Sequence, residues 1–392
     1  MLNLARENEC TGCSACINIC PQKCLQLQED EFGFFQPSLS KRELCISCGM
    51  CGNICPIQNE HIISYDTTEA YAVYSRNSIL RSESSSGGFF SELALELISH
   101  DGVVYGAAYD EEFQVCHIAV DKIKDLRKLR GAKYAQSNLC DSFPEIKRKL
   151  KAGKQVLFVG TPCQVAGLKA FLVKEYEGLI TVDFVCHGVP SPKAWGSYVQ
   201  YRAKQDNAGY LPERINLREK STGWSHFQYS NIYHYSKELT YSVKNTDDLY
   251  MRLFVRDYIN RKSCENCHFK GYNRVSDITL GDFWGIWDIM PEMDDNKGTS
   301  LVLLHSKKGR ELFSVLSENE KIYYKKVTLE QASARNPSLL TSSPANSQRE
   351  EVLRAVLAGE FTTVEDMIYF KEPKESLKEW FMNKFKRTVK WR

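Results

Sequence analysis

The sequence predicts a chain of mixed α+β and α/β class: a small metal-binding head, then a larger α/β domain with a partly parallel sheet. Three observations carry this. Eight cysteines in two identical spacings crowd the first 56 residues. A strand, a helix and a second strand follow one another between Gln155 and Val185. Apolar runs elsewhere are short and broken by polar residues, as in an ordinary globular domain, with 43% hydrophobic and 26% charged residues.

In the head, Cys10, Cys13, Cys16 and Cys20 precede Pro21, and Cys45, Cys48, Cys51 and Cys55 precede Pro56. Each run spells C-x2-C-x2-C-x3-C-P. This is the spacing of bacterial two-cluster ferredoxins, in which three thiolates hold one [4Fe-4S] cube and the fourth reaches to the other. The expected sets are Cys10, Cys13, Cys16 and Cys55, and Cys45, Cys48, Cys51 and Cys20. Zinc closes with four ligands and needs no crossed eight-cysteine pattern, and a disulfide framework would require a secreted protein. Residues 1–60 are therefore expected to form a two-[4Fe-4S] ferredoxin-type domain, with Cys24 a spare thiol and Glu60 to Thr68 a linker.

The 392 residues hold 51 basic and 49 acidic side chains, so net charge gives no reason to expect a nucleic-acid partner. The first nine residues carry no signal-peptide core, and no stretch approaches the ~20 apolar residues of a membrane span. Fifteen cysteines without a secretory signal point to thiolate ligands in a reducing, cytoplasmic setting.

Residues 69–150 read as the first part of the larger domain. Ala70 to Tyr74 is an expected strand, Ser82 to Gly88 a small-residue loop, and Phe89 to His100 a helix by its apolar spacing. Strands Val103–Ala108 and Val115–Val120 pair through the Asp110–Gln114 turn. Residues 151–310 form the second part. Gln155 to Val159 is an apolar run suited to a strand buried on both faces. A helix over Gln164 to Lys174 and a strand from Leu179 to Val185 complete a right-handed βαβ unit. Further strands are expected at Ile278–Leu280 and Leu301–Leu304, with helices at Phe143–Ala152, Pro190–Ala203 and Lys307–Leu316. Residues 311–392 are expected to be a helical tail, irregular over 335–348. Its end, Lys374 to Arg392, mixes Leu377, Trp380, Phe381, Phe385 and Trp391 with seven basic residues. Such a basic amphipathic helix covers its own domain or makes a peripheral contact with a membrane or partner.

Cys163 and Cys186 each follow a buried parallel strand, so both emerge at the carboxyl edge of one sheet, where α/β folds place ligands. Cys264 and Cys267 form a C-x2-C knuckle that can fold over that edge. A third [4Fe-4S] cube, a tetrahedral zinc and unligated buried thiols all suit four such cysteines. Cys116 and Cys140 read as structural, and Trp284 and Trp287 as core. Clusters carry single electrons, and a flavin is the usual adaptor to two-electron chemistry. Ser84-Ser85-Ser86-Gly87-Gly88, opening a helix, suits a phosphate and equally an ordinary helix cap. His187 and His268 each adjoin a candidate cluster cysteine, where they could tune a potential or move a proton. No G-x-G-x-x-G follows a strand.

Ser84–Gly88, Leu129–Ser137 (LRGAKYAQS), Gly160–Gln164 (GTPCQ), Cys186–Pro192 (CHGVPSP) and Asp277–Gly285 (DITLGDFWG) together resemble the coenzyme F420 hydrogenase/dehydrogenase β-subunit family, over roughly residues 1–310. The resemblance implies an α/β flavin-binding domain with FAD and a nearby iron–sulfur cluster. By motif, Ser85, Ser86, Gly87 and Gly88 hold FAD phosphates. Lys133, Tyr134, Gln136 and Ser137 line the flavin or substrate pocket, Thr161, Pro162 and Gln164 flank the ring, and Cys163 is a cluster ligand. Lys133 and His187 are the candidate catalytic residues. The resulting expectation is an iron–sulfur flavoprotein oxidoreductase. It passes electrons from ferredoxin or a similar donor through three clusters to FAD, then to a small-molecule substrate such as coenzyme F420 or another two-electron acceptor, or the reverse. The alternative is an electron-relay subunit that serves a partner subunit and has no substrate of its own.

Overall fold

A computed structural model describes residues 4–59 and 67–369. Most of the expected linker, and the basic segment Lys374–Arg392, lie outside the described residues.

An eight-stranded sheet organises the chain. Its strands are β3 (Glu69–Ser75), β4 (Val103–Tyr109), β5 (Val115–Val120), β6 (Val156–Val159), β7 (Leu179–Phe184), β11 (Ile278–Asp282), β12 (Ser300–Leu304) and β13 (Ile322–Val327), in the spatial order β13-β3-β12-β11-β7-β6-β4-β5. The head contributes the hairpin β1 (Leu25–Glu29) and β2 (Phe35–Leu39), and a separate antiparallel sheet holds β8 (Arg214–Glu219), β9 (Ser230–His234) and β10 (Thr240–Lys244). Within the large sheet, β4, β6, β7 and β11 run parallel, and the flanking strands are antiparallel. The expected βαβ unit is β6, the helix Pro162–Leu172 and β7, with Val156 opposite Leu179.

Side chains along the central strands alternate between two covered faces. Val104 and Leu157 pack with Phe89, Leu93 and Leu97 of the helix Phe89–Ser99 on one face. Val103, Tyr105, Val156 and Phe158 pack with Phe143, Ile146, Val165 and Leu168 of the helices Ser142–Lys151 and Pro162–Leu172 on the other. Helices on both faces explain why β6 reads as an unbroken apolar run.

Several boundaries lie a few residues from where the sequence predicts them. The helix expected from Gln164 starts at Pro162, and that expected from Pro190 starts at Pro192 behind a Ser191 cap, because proline suits the first helical position. The segment after residue 310 is not all helix. Ile322–Val327 is a strand that borders β3, and the sheet thereby runs through residues 69–150, 151–310 and 311–369 alike. The alternation of Ile322, Tyr324 and Lys326 with Tyr323, Lys325 and Val327 leaves only the two ends buried, so the strand carries a weak pattern.

The head is not an appendage. Phe32 and Phe34, at the β1–β2 turn, sit in the core formed by Trp195, Tyr198, Tyr233 and Tyr250. Gly33 passes so close to the helix Pro192–Asp206 that an added Cβ would lie 2.3 Å from Lys193 Cβ. Arg261, 2% exposed, fastens the head from beneath. Its guanidinium donates to the carbonyls of Cys10 (2.8 Å) and Phe35 (3.0 Å) and to Gln136 Oε1 (2.9 Å), while Gln136 Nε2 donates to Thr11 O (3.1 Å). A buried cation must be fully hydrogen-bonded to be tolerated, and each such charged bond contributes ~1.5–3 kcal/mol. Replacing Arg261 with Ala is expected to lower stability by ~3 kcal/mol, with Lys restoring only part; an unchanged denaturation midpoint would refute the clasp.

Candidate redox centre

The cysteine loops turn through left-handed residues. Gly12 (φ +68°) and Ser14 (φ +63°) sit between the first cysteines, and Ser47 (φ +53°) and Gly49 (φ +73°) occupy the same relative positions in the second run. Burial pushes the Cys16 thiol up to about 12, with the next contributions from Cys10, Cys55 and Cys51. Cys55 is raised by burial and neighbours Cys10. Cys51 is raised by burial and neighbours Cys48 and Cys20. Cys55 thus neighbours the first run and Cys20 the second, while Cys16 of the first run also neighbours Cys51 of the second. Cys24 is closer to the second set than a spare thiol need be, its Sγ 3.3 Å from Cys20 Sγ. Burial alone would raise Cys20, but hydrogen bonds from the amide and thiol of Cys24 and the amides of Gln22 and Leu25 outweigh it and lower the thiol.

The four scattered cysteines come together at the sheet's carboxyl edge. Cys163 follows β6 in the first turn of the helix Pro162–Leu172, where the helix dipole favours a thiolate. Burial nevertheless pushes it up to about 12, partly offset by the Thr161 hydroxyl 3.1 Å away, and Cys267 and Cys264 are its cysteine neighbours. Cys186, just after β7, is raised by burial, lowered by Lys270, and neighbours Cys264, Cys163 and Cys267. Burial pushes Cys264 up to about 11. Thiols this buried ionise when a cation supplies the missing charge, as coordination does. Among the described residues no three Cys, His, Asp or Glu side chains close on one point tightly enough for a single ion.

One contact joins the first and third sets. Cys13 packs against Gly167 in the middle of the helix that carries Cys163; a Cβ on Gly167 would lie 2.8 Å from Cys13 Cβ and 3.0 Å from its Sγ. Cys163 is accordingly among the electrostatic neighbours of Cys13, whose thiol burial raises well above its usual range.

The residues expected around a flavin fall into two groups. In the first, Gly87 is required, because its Cβ would lie 2.4 Å from Val73 O. The Ser84 hydroxyl donates to Leu80 O (2.8 Å) and that of Ser86 to Thr299 O (3.1 Å). The Ser85 hydroxyl makes no hydrogen bond among the described residues. Arg218 ties this loop to the pocket expected from sequence: it clamps Asp282 through two bonds (2.9 and 2.8 Å) and donates to Tyr134 OH (3.1 Å) and Ser85 O (3.3 Å). Lys220 Nζ donates to the carbonyls of Arg81 and Ser86. Among the described residues Lys133 Nζ donates to the carbonyls of Arg130 (2.7 Å) and Gly131 (3.3 Å), and burial lowers it to about 7. Lys220 is lowered to about 7 by burial and then by Arg81 and Arg218. Arg81, Arg218 and Lys220 thus gather beside this glycine-rich helix start, the two arginines paired with Asp295 and Asp282.

In the second group, Gln164 accepts from Thr161 N–H (2.9 Å) and donates to Ser137 O (3.3 Å), and Ser137 Oγ meets His117 Nδ1 (2.6 Å). With Gln136 on Arg261 and Thr11, these residues link the start of the helix that carries Cys163 to the loop of Cys10. His187 stands apart from Lys133. Its Nε2 faces Asp257 Oδ1 at 2.8 Å, its Nδ1 meets Ser338 Oγ at 3.2 Å, and Phe254 lies between it and Tyr134, with ring centroids 5.3 and 5.1 Å away. Arg218, Lys220 and Arg261 escape a reading of the sequence, since a lone basic residue carries no pattern; Asp282 lies inside the DITLGDFWG run. Trp284 packs as expected, stacked on Trp224 at 4.8 Å.

Residues 153–330 match the carboxyl-terminal region of the family described as "Coenzyme F420 hydrogenase/dehydrogenase, beta subunit", and residues 9–59 match "4Fe-4S dicluster domain". No curated protein matches. Among solved structures, a chain of the F420-reducing [NiFe] hydrogenase complex from Methanosarcina barkeri is 17% identical, over 79% of this chain and 94% of its own, at a TM-score of 0.46. The chain therefore joins an N-terminal 4Fe-4S dicluster domain to the carboxyl-terminal region of the coenzyme F420 hydrogenase/dehydrogenase β-subunit family.

Proposed function

We propose that this chain is an iron–sulfur flavoprotein oxidoreductase that exchanges electrons between a one-electron donor and a two-electron substrate such as coenzyme F420. The observation that carries the reading is the packing of Cys13 on Gly167, four residues along the helix from Cys163. It sets two groups of cysteines side by side at the carboxyl edge of a sheet whose same edge carries Asp282 and the Arg218 clamped on it. Cys10, Cys13, Cys16 and Cys55 hold one [4Fe-4S] cluster, Cys45, Cys48, Cys51 and Cys20 a second, and Cys163, Cys186, Cys264 and Cys267 a third. Ser85, Gly87, Gly88, Arg218, Lys220 and Lys133 form the site for FAD, with Tyr134 at its side. When bound, the clusters supply single-electron exchange and FAD the conversion to two-electron chemistry.

The chain's own part is electrostatic and positional. Arg261 is an electrostatic neighbour of Cys163 and lowers it, so it favours the thiolate. Lys133, desolvated and held by carbonyls, is placed to meet anionic oxygen or a reduced ring. His187, next to Cys186 in the chain and with Nε2 2.8 Å from Asp257 Oδ1, is the candidate to move a proton there. The family's description as a beta subunit favours a second reading, in which the chain relays electrons to a partner subunit and has no substrate of its own.

Two outcomes test this. Anaerobically purified protein is expected to hold about twelve irons per chain, and Cys186→Ser about eight; a wild-type count near eight leaves the third set without a cluster. Lys133→Met is expected to weaken FAD binding at least tenfold while stabilising the FAD-free protein. The sign follows from the lowered pKa. The unfolded lysine is charged below ~10.4, so its burial costs stability increasingly as pH falls from there through about 7, and the cost is full below that. The gain in Lys133→Met should therefore grow from pH 10 toward 7 in denaturation curves. Unchanged FAD affinity would place the cofactor elsewhere.

A further inference from the structure

Of the twelve cysteines in the three sets, Cys48 alone is exposed. The first set is covered by the helix Pro162–Leu172, and the third is half-buried between the sheet edge and the Cys264–Cys267 knuckle. Around Cys48 the surface is apolar, with Leu44, Ile46 and Met50 exposed by 43%, 61% and 40%. Met50 also lines a cavity of about 420 Å³ that it shares with Val173. Val173 is 74% exposed and held at φ +67°, a conformation that branched residues strongly resist. Val173 ends the helix Pro162–Leu172 in this left-handed conformation and adds its apolar side chain to the same exposed face. Lys169, Lys174 and Lys308 line the same cavity against Glu175 and Asp277, and Lys41 and Arg42 stand exposed beside Leu44 against Glu43.

We infer that this face, formed by Leu44, Ile46, Met50 and Val173 within a basic rim, is the docking surface for a small acidic one-electron carrier protein of the ferredoxin type. Cys20, Cys45, Cys48 and Cys51 are then the point of electron entry or exit. The inference rests on the proposed function for the presence of clusters, and it names the partner of that same site. An acidic carrier fits because five basic side chains against three acidic ones leave the surroundings of the apolar patch net positive, and because such encounters use small, partly apolar interfaces steered by charge. Among the three sets, this one alone presents an exposed cysteine to a carrier.

The test is titration of the oxidised holoprotein with an oxidised acidic plant-type ferredoxin, followed by calorimetry, alongside the rate at which the reduced ferredoxin and methyl viologen reduce the chain. Binding is expected at low ionic strength and should weaken about tenfold at ~0.2 M salt, where charges are screened beyond ~8 Å. Ile46→Asp and Lys174→Glu should each weaken binding, and slow reduction by ferredoxin, at least tenfold at wild-type iron content and with an unchanged methyl viologen rate. Tyr210→Ser, a change at a side chain equally exposed at 74%, should alter neither. Wild-type binding by both variants, or no binding at low salt in a protein that methyl viologen reduces, overturns the assignment. So does a tightly co-purifying protein seated on this face. A protein without iron would instead sink the proposed function itself.

Discussion

A helix can take the side of a cysteine loop only where it has no side chain of its own, and Gly167 provides that gap. Glycine in mid-helix costs about 1 kcal/mol relative to alanine. The cost is met here by a contact with Cys13 that an added Cβ would close. Arg261 then fixes the approach from the other side. It is a cation held among carbonyls rather than by a carboxylate, which leaves its charge available to the cysteines around it. The head and the sheet domain are in this way one structure. The Phe32–Phe34 turn buried beside Trp195 adds an apolar anchor to the polar one.

The sheet supplies the rest of the geometry. Parallel strands deliver β6 and β7 to the same edge, and the residues just beyond them, Thr161 to Cys163 and Cys186 to His187, inherit a common position without any local signal linking them. Antiparallel β12, reaching Ser300 beside Gly87, and Arg218 clamped on Asp282 draw the serine–glycine loop to the same side. Burial and the neighbouring Arg81 and Arg218 depress Lys220, and burial depresses Lys133, each lysine donating to backbone carbonyls.

What the sequence discloses is what is local or periodic. The cysteine spacings name their chemistry because ligands two residues apart can only close on a shared centre. β6 announces itself because both of its faces are covered. Arg218 and Arg261 are invisible in the sequence because each acts across more than sixty residues, on partners no motif connects. β13 is hidden by Lys325 and Lys326, which face solvent at the sheet's edge and suit an edge strand. The serines of the glycine-rich loop show the opposite error of emphasis: Ser84 and Ser86 spend their hydroxyls on carbonyls of the fold, so only part of that motif is available to a ligand.

The account stands on the first and third cysteine sets holding clusters close enough to sense one another through the Gly167 gap. Electron paramagnetic resonance of the fully reduced protein reads this directly. Spin–spin splitting between clusters in the wild type, collapsing toward the sum of isolated signals in Gly167→Val at equal iron content, is the predicted result. A wild-type spectrum that is already a sum of non-interacting clusters would contradict it.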